Sequence, residues 1–176
     1  MKKLFIIFLI AGITLSCNDG KKEEVRYTQD SKEINTLKAA IKDYEDANWD
    51  SYTTHYADTA KIYHNSEESL SSKQQVDIHK ENTGSLSAYG FVDDDDEYEM
   101  VLTDDNNTWV NYWGTWKGTI AENSKEVTIP IHLTARFVNG KIVEEHGYWD
   151  NGIFMSAMEE MEASKAKQDS IQGAEQ

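Results

Sequence analysis

The sequence of 176 residues is poor in cysteine, proline and basic residues. It contains one Cys, one Pro and 17 Lys and Arg against 32 Asp and Glu, which gives a net charge of −15. One Cys excludes an intrachain disulfide and a zinc site built from several cysteines. The shortage of positive charge argues against binding to nucleic acid or to anionic lipid headgroups, because both depend on clustered Lys and Arg.

Common motifs of catalysis and metal binding are also missing. The sequence has no G-x-x-x-x-G-K-[ST] phosphate loop, no G-x-G-x-x-G and no G-x-S-x-G. The five His residues show neither H-x-H nor H-E-x-x-H spacing. The acidic run 93–96 lacks the Gly and Glu that an EF-hand places at its sixth and twelfth positions. We therefore predict no metal and no cofactor.

Hydrophobic residues are present in sufficient number for one packed domain. They make up 39% of the chain, and aromatic residues make up 11%. This composition excludes a disordered acidic tail.

The N-terminal segment has the pattern of a secretory signal. Lys2 and Lys3 precede the apolar run 4–15, which is shorter than the roughly 20 residues of a membrane-spanning helix. Cys17 follows, and residues 14–17 (TLSC) resemble the lipobox of bacterial lipoproteins, with Thr14 where Leu is usual. We predict a signal peptide at residues 1–16 and a lipid anchor at Cys17. An ordinary secretory signal with an incidental Cys is the simpler alternative.

The anchor would place the chain at the bacterial outer membrane, on the periplasmic or the cell-surface side. Residues 17–30 are polar and read as a tether, in which residues 22–24 (KEE) resemble the surface-export signals of Bacteroidota lipoproteins. We predict a single domain at residues 31–161 and a polar, frayed tail at residues 162–176.

Apolar residues at helical spacing predict three helices in the first half of the domain. The first covers residues 31–47, where Asp30 and Glu33 form a capping-box arrangement. A second, short helix follows Asp50, which is suited to cap it. A third helix covers residues 72–83.

Alternating apolar and polar residues predict strands, mainly in the second half. A short strand at 61–64 comes first, and residues 97–103 and 108–120 flank a run of turn formers. Residues 127–137 and 141–149 flank Asn139-Gly140, which predicts another hairpin. Pro130 has no N–H to donate, so we expect an edge or a bulge there. Helices followed by antiparallel strands predict the α+β class.

Three segments resemble the sequence patterns of one superfamily. Residues 47–60 (ANWDSYTTHYADTA) are similar to a "G-D-W-D … Y-A-D-D-A" run, and residues 62–65 (IYHN) to the strand that follows it. Residues 129–150 are similar to a "V-x-x-x-R-F-x-x-G-K-I-V-E-E" hairpin. In this order, across residues 33–155, they resemble the NTF2-like superfamily and its SnoaL-like branch. The resemblance implies a curved antiparallel sheet wrapped around helices, which forms a cone with one internal pocket.

The resemblance also allows a comparison with ketosteroid isomerases, which share the implied fold. Their general-base Asp corresponds to His64, their oxyanion-hole Tyr to Ala40 and their protonated Asp to Leu133. Neither Ala nor Leu can donate a hydrogen bond to an enolate oxygen. Steroid isomerase chemistry is therefore not expected.

Five residues are the candidates for the site. His64 is a possible general base, ligand contact or structural histidine. Glu145 is a possible second catalytic group, although a solvated carboxylate at a strand end is the simpler interpretation. In the same correspondence with ketosteroid isomerases, Glu145 and Trp149 face the pocket. A β-bulge would instead turn His146 and Asp150 toward it. We expect His64, Trp113, Leu133 and Trp149 to contact a ligand.

The pattern leaves three functions open. The first is binding of a small apolar or aromatic molecule without catalysis. The second is a SnoaL-like cyclase, isomerase or dehydratase with His64 as base. The third is a protein-interaction module, such as a homodimer, that uses aromatic residues on the outer sheet face.

Overall fold

The computed structural model describes residues 25–92, 94 and 96–174. The predicted signal peptide, Cys17 and the segment 22–24 lie outside these residues. Within the described part, no helix is both long and apolar enough to cross a membrane. In chain order the elements are β1 (Tyr27–Thr28), α1 (Lys32–Glu45), α2 (Trp49–Thr54), β2 (Tyr56–His64), α3 (Ser72–Thr83), β3 (Leu86–Phe91), β4 (Glu97–Leu102), β5 (Thr108–Ile120), β6 (Glu126–Val138), β7 (Lys141–Trp149) and α4 (Asn151–Ala174).

The seven strands form one sheet with the order β1-β4-β5-β6-β7-β2, and β3 pairs with β5 beside β4. All pairs are antiparallel except β2 and β7, which are parallel. The α+β class is confirmed, but the sheet is mixed rather than purely antiparallel. The sheet is mixed because β2, which follows α1 and α2, runs in the same direction as β7. β2 has nine residues, whereas the sequence predicted four.

Two of the helices begin at a residue whose side chain caps them. The Ser31 side chain, not that of Asp30, caps α1 and accepts a hydrogen bond from the backbone N–H of Ile34 at 3.1 Å. Ser71 and Gln74 form a complete capping box at the start of α3. Ile34 and Leu37 are almost completely buried against the sheet, which fixes the inner face of α1.

The long strands follow the alternation of their sequences. In β5, Val110, Tyr112 and Trp116 are buried, while Trp113 lies on the opposite face and is exposed. β5 pairs with β4 along its first half and with β3 along its second half. Pro130 lies one residue beyond the point where β7 stops pairing with β6, so the predicted edge position is confirmed.

The hairpin of β6 and β7 contains a bulge close to its turn. Arg136 pairs with Glu144 and Phe137 pairs with Ile142, so Val143 is the extra residue. The bulge shifts the alternation of β7 by one residue, so that Ile142 before it and Glu145 after it both face the inner side. Glu145 and Gly147 are buried, whereas Tyr148 is exposed.

Both ends of the described chain differ from the prediction. Tyr27–Thr28, in the predicted tether, pairs with β4. At the other end, α4 continues to Ala174, through most of the predicted tail. Its first turns pack Phe154, Ala157 and Met158 on the sheet, but residues 162–167 are exposed. The tail is therefore helical where a frayed segment was expected, and its described side chains from 162 onward do not pack in the core.

Candidate ligand-binding pocket

A cavity of about 160 Å³ lies between the helices and the inner face of the sheet. Its wall is mostly aliphatic and aromatic, and it contains no Lys or Arg among the described residues. The exposed lining residues are Asn82 at the end of α3 and Asn151 at the start of α4, which places the mouth between these elements. The remaining wall is formed by Leu37, Ala40, Ile41, Tyr44, Tyr52, Tyr56, His64, His79, Thr83, Leu86, Phe91, Trp116, Ile129, Ile131, Leu133, Glu145, Trp149 and Phe154.

One corner of this cavity holds a buried carboxylate. Glu145 is 2% exposed, so the simpler interpretation of a solvated strand-end group is wrong. Its Oε1 lies 2.8 Å from His64 Nε2, and its Oε2 accepts a hydrogen bond from the Tyr56 hydroxyl at 2.9 Å. The parallel pairing of β2 and β7 places Ile62 opposite Glu145 and His64 opposite Gly147. Gly147 is required there because a Cβ would lie 2.7 Å from the His64 ring.

The contacts set the hydrogen-bond directions in the corner when the carboxyl group is ionised. An ionised carboxylate only accepts hydrogen bonds, so the Tyr56 hydroxyl donates to Oε2 and His64 donates from Nε2. In a neutral His64 ring, the lone pair is then on Nδ1. Nδ1 is buried and has no hydrogen-bond partner in the described chain. The corner therefore presents an unsatisfied acceptor.

A chain of hydroxyl groups extends from the carboxylate. Tyr52 donates to the Tyr56 oxygen at 2.9 Å, because the Tyr56 proton is used by Glu145. Burial, together with the nearby Glu145 charge, raises the pKa of both tyrosines well above the usual value. Burial and the neighbouring His64 lower the pKa of His79 to about 3. At neutral pH these groups are uncharged.

Tyr44 forms a second polar point on the wall. Its hydroxyl oxygen accepts a hydrogen bond from Trp116 Nε1 at 3.0 Å. Its ring packs edge-on against His79, with centroids 4.8 Å apart, and His79 lies 6.3 Å from His64.

The structure places four of the five candidate residues at the cavity. His64, Leu133, Glu145 and Trp149 line it, with the His64 and Trp149 ring centroids 5.1 Å apart. The prediction for Trp113 is wrong, because Trp113 is 39% exposed on the outer face. Its neighbour on the inner face, Trp116, lines the cavity instead.

Three lining residues, Trp116, Tyr44 and His79, were not predicted to contact a ligand. Alternation divides β5 into two faces but does not say which face is inside. The sequence feature that points to the face of Trp116 is Gly118, because a Cβ at this position would lie 2.3 Å from the Trp116 ring. A glycine two residues from a Trp on the same strand face leaves the space that the Trp ring occupies. His79 occupied a helix with few apolar residues and gave no such signal.

The outer sheet face carries a row of stacked rings. Trp113 stacks on His132 with centroids 4.9 Å apart, and Tyr63 stacks on His146 at 4.8 Å. Tyr148 lies between the two histidines, 6.4 Å from each. We call these five residues the outer ring row. A protein-binding role or a homodimer through this face stays a prediction.

Within the described residues, no group of three or more His, Cys, Asp or Glu side chains has the arrangement that could hold a metal ion.

Comparison with known proteins links the geometry to a fold. No protein-family model and no curated protein matches the sequence. Among solved structures, IdmH, a candidate polyketide cyclase from Streptomyces antibioticus, has a TM-score of 0.60 at 12% identity. The match covers 73% of this chain and 99% of that chain.

Two further structures show the same architecture. A candidate SnoaL-like polyketide cyclase from Shewanella denitrificans has a TM-score of 0.57 at 12% identity, covering 74% of this chain and 99% of that chain. A protein with a ketosteroid isomerase-like fold from Catenulispora acidiphila has a TM-score of 0.55 at 11% identity, covering 67% of this chain and 87% of that chain. Similarity at these identities shows the fold alone. The chain has the NTF2-like fold of the ketosteroid isomerases, and its structural neighbours include SnoaL-like proteins.

Proposed function

We propose that the cavity binds a small, mainly apolar molecule, which is oriented by a hydrogen bond to His64 Nδ1. The observation that carries this proposal is one buried acceptor without a partner in an otherwise apolar wall. A buried polar atom without a partner costs roughly 1–3 kcal/mol, and a ligand that donates to it removes this cost. The apolar wall supplies the remaining affinity through burial of the ligand surface.

The test is binding of two single-ring probes, phenol and toluene, to the detergent-solubilised full chain. We expect both to bind, and phenol to bind more tightly because its hydroxyl donates to Nδ1. Leu133→Trp should abolish binding by filling the cavity, while Thr134→Val, the adjacent residue on β6, should have no effect. If the Leu133→Trp chain does not fold, Ile131→Phe fills the same cavity. The proposal is wrong if neither probe binds the unmodified chain, or if a folded filling variant binds them equally well.

Proton transfer is a second candidate function. Its support is the hydrogen bond from His64 Nε2 to Glu145, which holds the ring and leaves Nδ1 as a base inside an apolar cavity. His64 would remove a proton next to a carbonyl group, and Glu145 would position the ring. The structural neighbours described as polyketide cyclases share the fold that this reading uses.

Exchange of a carbon-bound proton tests this candidate directly. Acetophenone in D2O should lose its methyl proton signal faster with the protein than with buffer alone, as followed by NMR. His64→Gln should abolish the acceleration, and His132→Gln on the outer face should retain it. An exchange rate equal to that of buffer would contradict this candidate.

We also propose that Cys17 carries the lipid anchor that holds the domain at the outer membrane. The support is the apolar run that ends before Cys17 and the TLSC sequence around it. Cells that express the chain and are fed an alkyne fatty acid should incorporate the label, and Cys17→Ser should lose both the label and the membrane fraction. Retention of the label by Cys17→Ser would contradict the anchor.

A further inference from the structure

A second unsatisfied polar group faces the same ligand space from the helical side. Trp116 Nε1 can only donate, so the Tyr44 oxygen is the acceptor in the 3.0 Å bond between them. The Tyr44 proton is therefore not used in that bond. No acceptor for it is found among the described residues.

The hydroxyl of Tyr44 remains a donor over the whole physiological range. Burial raises the pKa of Tyr44 above the usual value, the bond from Trp116 lowers it, and the nearby Tyr89 and Glu45 raise it again, with a net increase. The phenol therefore stays protonated. Because Trp116 donates to its oxygen, the O–H bond of Tyr44 is polarised toward a further acceptor.

The two unsatisfied groups are complementary and belong to one small cavity. His64 Nδ1 accepts and Tyr44 donates, and the His79 ring packs beside both of them. The cavity measures about 160 Å³, and an apolar cavity of about 150 Å³ holds one benzene-sized molecule. A steroid is larger than this space and would have to extend through the mouth between α3 and α4.

The charges of the wall restrict the ligand further. Glu145 is the buried acid, His79 is neutral, and the described wall has no Lys or Arg. An anionic ligand would lose its hydration without gaining a cationic partner, which is costly in an apolar site. A neutral ligand avoids this cost.

We propose, on the basis of the binding function above, that the ligand is a neutral single-ring molecule with one polar group at each end. A hydroxyl or N–H at one end donates to His64 Nδ1. A carbonyl-type oxygen at the other end accepts from the Tyr44 hydroxyl. Tyr44 is thus a ligand-specificity residue.

The experiment compares four para-substituted benzenes by calorimetric titration of the full chain. 4-Hydroxyacetophenone carries both groups, 4-ethylphenol only the donor, 4-methoxyacetophenone only the acceptor, and 4-ethylanisole has neither an O–H donor nor a carbonyl. We expect 4-hydroxyacetophenone to bind most tightly. Tyr44→Phe should weaken the two ketones by about 3- to 10-fold, the size of one hydrogen bond, and leave 4-ethylphenol unchanged.

A matched control is Tyr89→Phe. The Tyr89 hydroxyl donates to the Tyr44 backbone oxygen at 3.3 Å and does not line the cavity. This variant should bind all four compounds like the unmodified chain.

The outcomes separate this inference from the binding function. If none of the four compounds binds, the binding function itself fails. If the ring compounds bind but Tyr44→Phe weakens ketones and 4-ethylphenol equally, the binding function stands and the role of Tyr44 is wrong. Tight binding of the anion 4-hydroxybenzoate would overturn the requirement for a neutral ligand.

Discussion

Two consecutive residues of β7, Glu144 and Glu145, perform similar chemistry on opposite faces of the sheet. Glu145 lies 2.8 Å from a His64 nitrogen, and Glu144 lies 3.1 Å from a His146 nitrogen. The side chain of Glu145 is 2% exposed and that of Glu144 is 30% exposed. The residue types are the same, so the surroundings make the difference.

The outer pair is satisfied and open to water. Glu144 also accepts two hydrogen bonds from Arg136, and the bonds from His146 and Arg136 lower the pKa of its carboxyl group. Among the residues that the structure describes, no Lys or Arg pairs with the inner Glu145, and His64 Nδ1 has no partner. A ligand that donates a hydrogen bond to His64 Nδ1 would satisfy this atom, and we therefore place the site at the inner pair.

Truncation of the two acids should give the largest contrast in stability. Glu145→Ala leaves two buried donors, His64 Nε2–H and the Tyr56 hydroxyl, without an acceptor. We expect a loss of about 3 kcal/mol in the free energy of unfolding. Glu144→Ala removes a water-accessible ion pair and should cost about 0.5 kcal/mol. Urea unfolding of both variants measures the difference, and equal losses would mean that the inner carboxylate is not held as described.

Between pH 7 and 5, the pH dependence of stability should come mainly from His79, on the inner side of the sheet. The folded pKa of His79 is about 3, below the usual 6.5. The unfolded chain therefore binds a proton below pH 6.5 that the folded chain does not, and stability falls as the pH decreases. At pH 5 the loss relative to pH 7 is about 2 kcal/mol.

His79→Gln should remove this part of the slope. Asp43 and Glu144, whose pKa values are lowered, contribute only below about pH 4. Urea unfolding at pH 7, 6 and 5 measures the slope for each chain. The same slope in His79→Gln would show that His79 is not buried as a neutral ring.

An isosteric change tests the proton positions rather than the packing. In Glu145→Gln, the amide oxygen can still accept from Tyr56, and the amide N–H₂ then donates to His64 Nε2. The ring proton moves to Nδ1, so the acceptor becomes a donor. We expect a cost of about 1 kcal/mol and a reversed tautomer of His64 in ¹⁵N NMR. An unchanged tautomer would contradict the hydrogen bonding of Glu145 and His64.

Sequence periodicity predicted the hairpins of the sheet better than which of its two faces lies inside. The hairpins of β4 and β5 and of β6 and β7 follow from turn residues and alternation. Alternation has a period of two and is unchanged if the two faces are exchanged. Alternation puts Trp113 and Trp116, which are three residues apart, on opposite faces, and the prediction that Trp113 contacts the ligand chose the outer one.

The polar corner was predictable only in part. The family pattern indicated His64 and Glu145 separately, since they are far apart in sequence. Their contact depends on the parallel register of β2 and β7, which no local pattern specifies. Tyr44 lies in the apolar stripe of α1, and a helical stripe does not distinguish a core Tyr from one that lines a cavity.

A substitution in the outer ring row should have the smallest effect on the free energy of unfolding. Tyr148 is 53% exposed between His132 and His146, and Tyr148→Thr keeps a residue suited to a strand. At low protein concentration we expect a loss of about 0.5 kcal/mol or less in the free energy of unfolding, because little buried surface is removed. A second copy that covers this row would change the result, since burial of Tyr148 in a dimer adds its contribution only when the dimer is populated. The loss would then grow with protein concentration, and unfolding at 1 and 100 μM distinguishes an open face from an interface.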